Sequence, residues 1–370
     1  MKILIALREL VNPGGAEFVA AETAKELAAR GHDVSVYACA TGDFATTLLP
    51  SSVRPVTELS AVPWKPDIIH GQHHLPAMAA SARFDTTPAV YHCHGTFPWV
   101  DQPPMHPNIR RYIMMCQWMV KRFETESAIE PGRTVCIPNF VNTVRFSEVR
   151  QPPERIKKAV LFNGHGHSTD ELRRLKRACA AYGINLDMIG SAYGNIKHRP
   201  EVFLQSYDLV FALGKSALEA MATGCAVMTL VPGQAGGLIT PDTFDEAAYS
   251  NFSPRYFMSA TQIGPEWLLR ELSRYTPAQA AEVTRRVRQE RRIDLAIDQF
   301  ESQYRAAVEA GPGESTAAFA PYLEYLAREV DRMCMEYEGL RRQVRCESVG
   351  RRLLWRFERA CTLLWRRIWK

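Results

Sequence analysis

The first 37 residues, MKILIALRELVNPGGAEFVAAETAKELAARGHDVSVY (residues 1–37), decide the fold. Residues 3–7 form a short apolar run typical of a buried strand, and a Gly-rich break at residues 12–15 follows it. Residues 16–30 are rich in the strong helix formers Ala, Glu and Leu. Gly31 suits the left-handed conformation that often follows a helix, and strand character resumes just after it. This order predicts a βαβ unit with a parallel sheet.

The same alternation continues along the chain in two blocks. In the first block, apolar runs predict further strands at residues 67–69, 89–91, 112–115 and 135–137. Pro152-Pro153 among charged residues indicates a linker. In the second block, we predict strands at residues 159–162, 186–189 and 209–211, with helices at residues 170–182 and from residue 216. We therefore expect two Rossmann-like doubly wound α/β domains, with ligands bound in the cleft between them.

The expected domain bounds are residues 1–150 for the first domain and residues 151–310 for the second, which includes closing helices. A breaker cluster at residues 311–315 separates them from a helical extension over residues 319–370. The extension begins with apolar residues spaced alternately by three and four, which predicts a heptad seam at residues 323–344 and suggests a homo-oligomer.

The end of the extension is basic. The formal net charge of the 370 residues is +5, and residues 345–370 alone carry eight Lys or Arg and two Glu. The body of the chain is therefore close to neutral, which argues against a nucleic-acid groove. Residues 351–370 place basic and apolar residues on opposite helical faces, a pattern typical of a helix lying on an anionic membrane surface. Packing on the globule or on a dimer partner is the alternative interpretation.

We expect a cytoplasmic protein, peripheral on the inner face of the cytoplasmic membrane. The nine cysteines are scattered, odd in number and mostly in apolar surroundings, as buried reduced thiols would be. The N-terminal segment is charged too early for a signal peptide, and no apolar stretch is long enough to cross a bilayer.

Five segments, in order over residues 1–300, together resemble glycosyltransferase family 4, whose members are retaining enzymes with two Rossmann-like domains in the GT-B arrangement. The segments are Gly14-Gly15-Ala16-Glu17 with the run LAARGHDV at residues 27–34, PDIIH at residues 66–70, His94-Gly95, IPNFVNTVRF at residues 137–146, and LEAMATG at residues 218–224. Each segment alone is weak, whereas their order makes a strong signal.

The resemblance implies a nucleotide-sugar donor, linked to UDP or GDP, and no other cofactor. Glu219, at the start of a helix, would accept the ribose hydroxyls, and His94 would contact the transferring sugar and stabilise charge there. We expect these two to be the catalytic residues. Gly14 and Gly15 form a loop whose backbone N–H groups and following helix suit an anion. A structural His94, a Glu219 that only complements the helix dipole, and an empty βα turn at the glycines are the alternatives.

The rest of the expected donor site consists of Gly164, His165, Gly190, Lys215 and Ser216. Family members usually carry an Arg and a Lys near the donor diphosphate. Here we expect His165 with Lys215 to supply that charge, assisted by Lys197 or Arg199. The family also has a second Glu eight residues before Glu219, where this chain has Phe211. This departure leaves the donor sugar undefined.

Five of the ten histidines lie between residues 70 and 94, which raises the question of a metal site. His92 and His94 would share one strand face, with Cys93 on the other, and no Asp or Glu is placed to complete a ligand shell. The chain also has no Asp-x-Asp motif. We therefore expect no catalytic metal.

The favoured function is transfer of a sugar from a nucleotide sugar to a glycan or lipid-linked acceptor, with retention, in bacterial surface polysaccharide or lipopolysaccharide assembly. The alternative is a degenerate, non-catalytic scaffold that associates through its heptads. An NAD-dependent oxidoreductase is disfavoured because no Gly-x-Gly-x-x-Gly follows the first strand.

Overall fold

A computed structural model describes residues 1–11, 14–95, 99–127, 129–130, 132–164, 166–254 and 263–313. The predicted heptad seam at residues 323–344, the basic helix at residues 351–370 and His165 lie outside the described residues. Both sheets of the described part belong to one compact unit. In that part of the chain, no helix combines the length and the apolar character that crossing a membrane requires.

The first half of the described chain forms a parallel sheet. Its strands are β1 (Lys2–Leu10), β2 (Asp33–Thr41), β3 (Arg54–Val56), β4 (Ile68–Gly71), β5 (Ala89–Cys93), β6 (Ile109–Met114) and β7 (Thr134–Cys136). They lie in the order β3-β2-β1-β4-β5-β6-β7, with helices α1 (Gly15–Ala29), α2 (Asp43–Leu48), α3 (His74–Arg83) and α4 (Gln117–Glu126) between them. Residues 3–7 of the interior strand β1 are fully buried, because helices cover both faces of the sheet.

The second half forms a smaller sheet. Its strands are β8 (Lys158–Phe162), β9 (Asn185–Ile189), β10 (Leu209–Ala212), β11 (Ala226–Val231) and β12 (Gln234–Leu238), in the order β12-β11-β10-β8-β9. Only β12 runs antiparallel to its neighbour among these strands. The helices are α5 (Thr169–Ala181), α6 (Pro200–Phe203), α7 (Gly214–Thr223), α8 (Phe244–Tyr249), α9 (Pro265–Leu272) and α10 (Pro277–Glu290). The prediction of two Rossmann-like sheets is confirmed.

The last described helix, α11 (Ile293–Ala310), packs on the first sheet rather than on the second. The sequence analysis assigned it to the second domain, since it follows that domain in the chain. Its apolar face, with Ile293, Ile297 and Phe300, is buried in the same cluster as Ile3 and Ile5 of β1. Burial of this face sets the position of α11, so the chain returns to the first half at its end.

The two places where the chain passes between the sheets are hydrogen-bonded to each other. The Val141 N–H donates to the Arg291 carbonyl at 2.7 Å, and the Ile293 N–H donates to the Val141 carbonyl at 3.1 Å. These paired crossings hold the sheets so that the loops after their strands share one cleft.

Candidate functional site

The candidate site is a cavity of about 680 Å³ between the two sheets. It is lined by loops that follow the strands of both sheets and by the first turns of two helices. The lining includes the predicted residues Gly14, Gly15, His94, Gly164, Gly190, Lys215, Ser216 and Glu219. The structure therefore brings every described residue of the predicted site to a single cavity, while His165 lies outside the described residues.

The first helix presents its N-terminus to the cavity, as the sequence predicted, but a carboxylate already lies over it. The N-cap residue of α1 is Gly14, which has no side chain to accept a hydrogen bond from the first turn. A Cβ atom on Gly14 would lie 2.1 Å from Glu17 Oε2, so glycine is required for this carboxylate to fold back. Burial raises the pKa of Glu17, against a hydrogen bond from its own backbone N–H. Sequence analysis missed this role of Glu17.

The second helix of the site, α7, begins after β10 without a side-chain cap. Gly214 at its start has φ +53°, a left-handed conformation that glycine adopts without strain. One turn later, Glu219 is 3% exposed, and its Oε1 atom has no hydrogen-bond partner among the described residues. Burial raises the pKa of Glu219 to about 7, although the nearby Lys215 ammonium opposes this shift. A buried acceptor without a donor is costly unless a ligand supplies one.

Lys215 does not point freely into the cavity, because it is paired with an acidic residue of the first half. Its Nζ donates to Glu22 Oε2 of α1 at 2.7 Å and to the Phe140 carbonyl at 3.1 Å. Glu219 Oε1 is farther away, at 3.6 Å. Lys215 and Glu22 are 7% and 6% exposed. Sequence analysis identified Lys215 and missed Glu22, which lies in the middle of a helix and in no recognisable motif.

Arg145 completes this ionic network. Its Nη1 donates to Glu22 Oε1 at 3.1 Å, and its Nε and Nη2 donate to Glu201 Oε2 at 3.0 and 2.8 Å. The guanidinium also lies 4.7 Å from the ring centroid of Phe18. Arg145 lies within the segment at residues 137–146 that carries part of the family resemblance, so that segment contributes to the ionic network through this side chain.

The histidines of the first half form a packed group behind the cavity wall. His92 and His94 lie on one face, with their ring centroids 4.4 Å apart, while Cys93 is buried in the cluster on the opposite side of the sheet. His94 Nε2 donates to Gln72 Oε1 at 3.0 Å. Burial, together with the neighbouring His92 and His73 rings, lowers the pKa of His94 well below its usual value. His94 therefore faces the cavity as a neutral ring.

Deeper in the same group, His70 and His92 are enclosed. His70 Nδ1 lies 2.5 Å from the Tyr304 hydroxyl of α11, and both rings pack on Phe300 of the same helix. Neither ring nitrogen of His92 has a hydrogen-bond partner among the described residues. Burial lowers the pKa of His70 to about 3 and that of His92 well below its usual value. Within the described chain, no three His, Cys, Asp or Glu side chains converge as metal ligands would.

The loops of the second half approach the cavity closely at Gly190. This glycine has φ +150°, and a Cβ atom there would lie 1.9 Å from the Asn163 carbonyl oxygen, so no other residue fits. Of the two cations expected to assist, Lys197 lines the cavity, whereas Arg199 binds Glu201 and is not part of the lining.

Phe211, at the position where family members carry a second Glu, contributes no side chain to the cavity. Phe211 lies within β10, is fully buried and packs 6.3 Å from the ring of Trp267 in a core cluster. Its side chain belongs to the core and is not part of the cavity lining. Because β10 leads almost directly into α7, counting eight residues back from Glu219 reaches the strand and not the loop.

Two asparagines that sequence analysis did not identify join the halves at the cavity wall. Asn139 Nδ2 donates to Asn251 Oδ1 at 3.1 Å, and Asn251 Nδ2 contacts Met115 Sδ at 2.9 Å. Asn251 has φ +56°, and Phe252 beside it has φ +54°. Such strain in non-glycine residues often occurs at functional sites.

Comparison with known proteins is consistent with this geometry. Residues 13–145 match the family model described as Glycosyltransferase Family 4. Among similar solved structures, a glycosyltransferase from Rickettsia africae has 12% identity over 83% of this chain and 98% of its own, with a TM-score of 0.61. WaaG, a glycosyltransferase involved in lipopolysaccharide biosynthesis, has 15% identity over 81% and 98%, with a TM-score of 0.53.

The catalytic domain of starch synthase IV from Arabidopsis thaliana, bound to ADP and acarbose, has 11% identity over 83% of this chain and 99% of its own, with a TM-score of 0.52. No curated protein sequence matches the chain at a significant level. At these identities the solved structures show the fold. The GT-B architecture and the resemblance of the N-terminal half to family 4 are confirmed.

Proposed function

We propose that this protein is a glycosyltransferase that moves a sugar from a nucleotide-sugar donor to an acceptor bound in the cavity. The match to the family 4 model and the GT-B fold support the reaction class. The ADP bound to starch synthase IV, whose fold this chain shares, supports a nucleoside diphosphate as the leaving group. The donor would lie on the second half, and the acceptor would enter from the first.

The observation that carries this proposal is the Oε1 atom of Glu219, which accepts no hydrogen bond within the described part of the chain and lies 3.6 Å from the Lys215 ammonium. A carboxylate at this depth lacks the donors that would satisfy it, and its position beside the N-terminal turn of α7 faces the cavity. The two hydroxyls of a ribose are donors of the right spacing for one carboxylate. Because Gly164 and Gly190 have no side chains, the backbone of their loops could approach the nucleotide closely.

The remaining residues suggest how transfer would proceed. A neutral His94 that donates to Gln72 through Nε2 would accept one hydrogen bond at the reacting centre through its other ring nitrogen, without adding charge. Retention would follow if the departing diphosphate removes the acceptor proton on the same face of the sugar. Lys215, Ser216 and the described glycines would bind the diphosphate, and we propose that no metal takes part. Closure of the two halves would exclude water, which otherwise hydrolyses the donor.

The acceptor that we propose is a glycan or a lipid-linked sugar of a bacterial surface polysaccharide. The similarity to WaaG, which is involved in lipopolysaccharide biosynthesis, supports this choice. The basic pattern of residues 351–370 supports attachment to the inner face of the cytoplasmic membrane, where lipid-linked acceptors would be encountered.

Binding of UDP and GDP to the wild-type protein and to Glu219→Gln, measured by isothermal titration calorimetry, tests the proposal. We expect micromolar to submillimolar binding of one nucleotide, and at least a tenfold loss in the variant. Glu271→Gln is the matched control, since Glu271 is a similarly buried carboxylate (5% exposed) of the same half that does not line the cavity. No binding at millimolar nucleotide would contradict the proposal and favour the non-catalytic scaffold.

A further inference from the structure

Glu22 is the most buried acidic group of the site that no step of the proposed reaction uses. It lies on α1, away from the cavity lining, yet it binds a cation with each carboxylate oxygen. Lys215 donates to Oε2 at 2.7 Å and Arg145 donates to Oε1 at 3.1 Å. A carboxylate placed in this way determines where both cations lie.

The contact with Glu22 determines how far the Lys215 ammonium lies from Glu219. Lys215 and Glu219 are four residues apart on α7, a spacing at which a Lys and a Glu readily pair directly. In the structure they do not form a hydrogen bond, because Nζ is drawn to Glu22 and to the Phe140 carbonyl, and Glu219 Oε1 remains 3.6 Å away. The ammonium thus stays close enough to attract the Glu219 carboxylate but does not occupy its acceptor.

We propose that Glu22 is a positioning residue that holds Lys215 off Glu219 and so keeps the Glu219 carboxylate open to the ribose hydroxyls of a nucleoside diphosphate. This inference rests on the proposed function, in which Glu219 binds ribose. Arg145 keeps Glu22 in place, since its guanidinium is itself fixed by Glu201 and by the Phe18 ring.

Loss of the Glu22 charge should let Lys215 move by less than about 1 Å and donate directly to Glu219 Oε1, at a normal hydrogen-bond length. A ribose hydroxyl would then have to displace a charged donor. The expected result is a loss of the preference for ribose over deoxyribose. Lys215 also takes part in the proposed phosphate binding, but a change there would affect both nucleotides equally and leave the ratio of their affinities unchanged.

The experiment measures dissociation constants of UDP and 2′-deoxy-UDP, or of the guanine pair if GDP binds better, by isothermal titration calorimetry. For the wild-type protein we expect 2′-deoxy-UDP to bind about tenfold more weakly. In Glu22→Gln this ratio should fall below about twofold. In the double variant Glu22→Gln/Lys215→Met, which has no competing ammonium, the ratio should return to at least fivefold. Thermal unfolding confirms that each variant is folded.

A structural role for Glu22 would change both affinities equally and leave the ratio intact. An unchanged ratio in Glu22→Gln, or no recovery in the double variant, therefore overturns the inference while the proposed function stands. If wild-type protein binds no nucleotide, the proposed function fails and the inference fails with it. Should Glu22→Gln not fold, Glu22→Asp carries the same test, because a carboxylate withdrawn by one methylene group also releases Lys215.

Discussion

The two halves of the cavity bury ionisable groups in opposite ways. On the first half, His70, His92 and His94 lie together with no charged partner among the residues that the structure describes, and burial keeps them neutral. On the second half, Lys215 and Glu219 are equally enclosed but share a network with an acidic residue of α1 and with an arginine. A buried group that has no counter-charge gives up its charge, whereas in the network the Lys215 and Arg145 charges oppose the effect of burial on the pKa of Glu219.

This difference assigns the two halves different tasks. His94 is the one of these three imidazoles that lines the cavity, and as a neutral ring it suits a hydroxyl group of the proposed acceptor, which needs a hydrogen bond but no counter-ion. A network with an incompletely satisfied carboxylate suits the nucleotide sugar of the proposed reaction, whose hydroxyl donors and phosphate charges would bind together. Each of the following experiments disturbs one half and leaves the other as the reference.

The largest effect is expected from Lys215→Met, which removes the cation between two buried carboxylates. Glu22 would keep Arg145 as a partner, but Glu219 would lose its nearest positive charge, so we expect a loss of about 3 kcal/mol in the free energy of unfolding at pH 8. Urea denaturation measures it. Arg173→Met, which breaks an exposed pair with Asp170, is the control and should leave the midpoint unchanged. Equal losses of stability in the two variants would show that the buried ionic network stabilises the protein no more than an exposed ion pair does.

The neutral histidines of the first half should make the free energy of unfolding depend on pH. The pKa of His92 lies below that of an unfolded histidine, so the unfolded state binds more protons below pH 6.5, and stability is lost as the pH falls. Replacement by Leu removes this term. The difference in unfolding free energy between the wild-type protein and His92→Leu should therefore shift against the wild type by about 1.4 kcal/mol per pH unit below pH 6.5. A difference independent of pH would mean that His92 is charged in the folded protein.

On the second half, the pH dependence of stability that Glu219 causes should have the opposite sign. Burial raises the pKa of Glu219 from 4.5 to about 7; the Lys215 and Arg145 charges oppose this shift, and those of Glu22 and Glu201 add to it. The folded state therefore binds the additional proton between pH 4.5 and 7. Relative to Glu219→Gln, the wild-type protein should gain about 1.4 kcal/mol per pH unit as the pH falls through this window. Urea denaturation at several pH values, as for His92→Leu, measures this gain. If the unfolding free energy, relative to the variant, changed with pH in the same direction in both series, the two halves would not differ as described.

These experiments also mark what could be predicted from sequence. Periodicity and Gly-rich turns predicted both sheets, and the motif order placed Gly14, His94 and Glu219 in one cavity. Glu22 was missed because its role depends on a partner 193 residues away, a distance in sequence that no local pattern reports. Counting residues identified Phe211 as the position of the family's second Glu, but only the structure shows that this position lies within β10 with its side chain in the core.

The position of α11 could not be predicted for a related reason. Its apolar face predicts that it packs on a sheet, but either sheet offers an apolar surface, and only the fully folded chain decides between them. The decision matters for the site, since α11 supplies Tyr304 and Phe300 to the histidine group of the first half.

The smallest of the expected effects tests that contribution. Tyr304→Phe keeps the ring that stacks on Phe300 and removes the hydroxyl that bonds His70 Nδ1, leaving a buried nitrogen without its partner. We expect a loss of about 1 kcal/mol in unfolding free energy. Phe is also smaller by one oxygen, so no overpacking should follow. Because His70 stays neutral, the loss should be constant from pH 7 to 8. A loss that shrinks as the pH rises from 7 to 8 would mean that the hydroxyl pairs with a protonated His70 ring, because such a pair is lost when the ring gives up its proton.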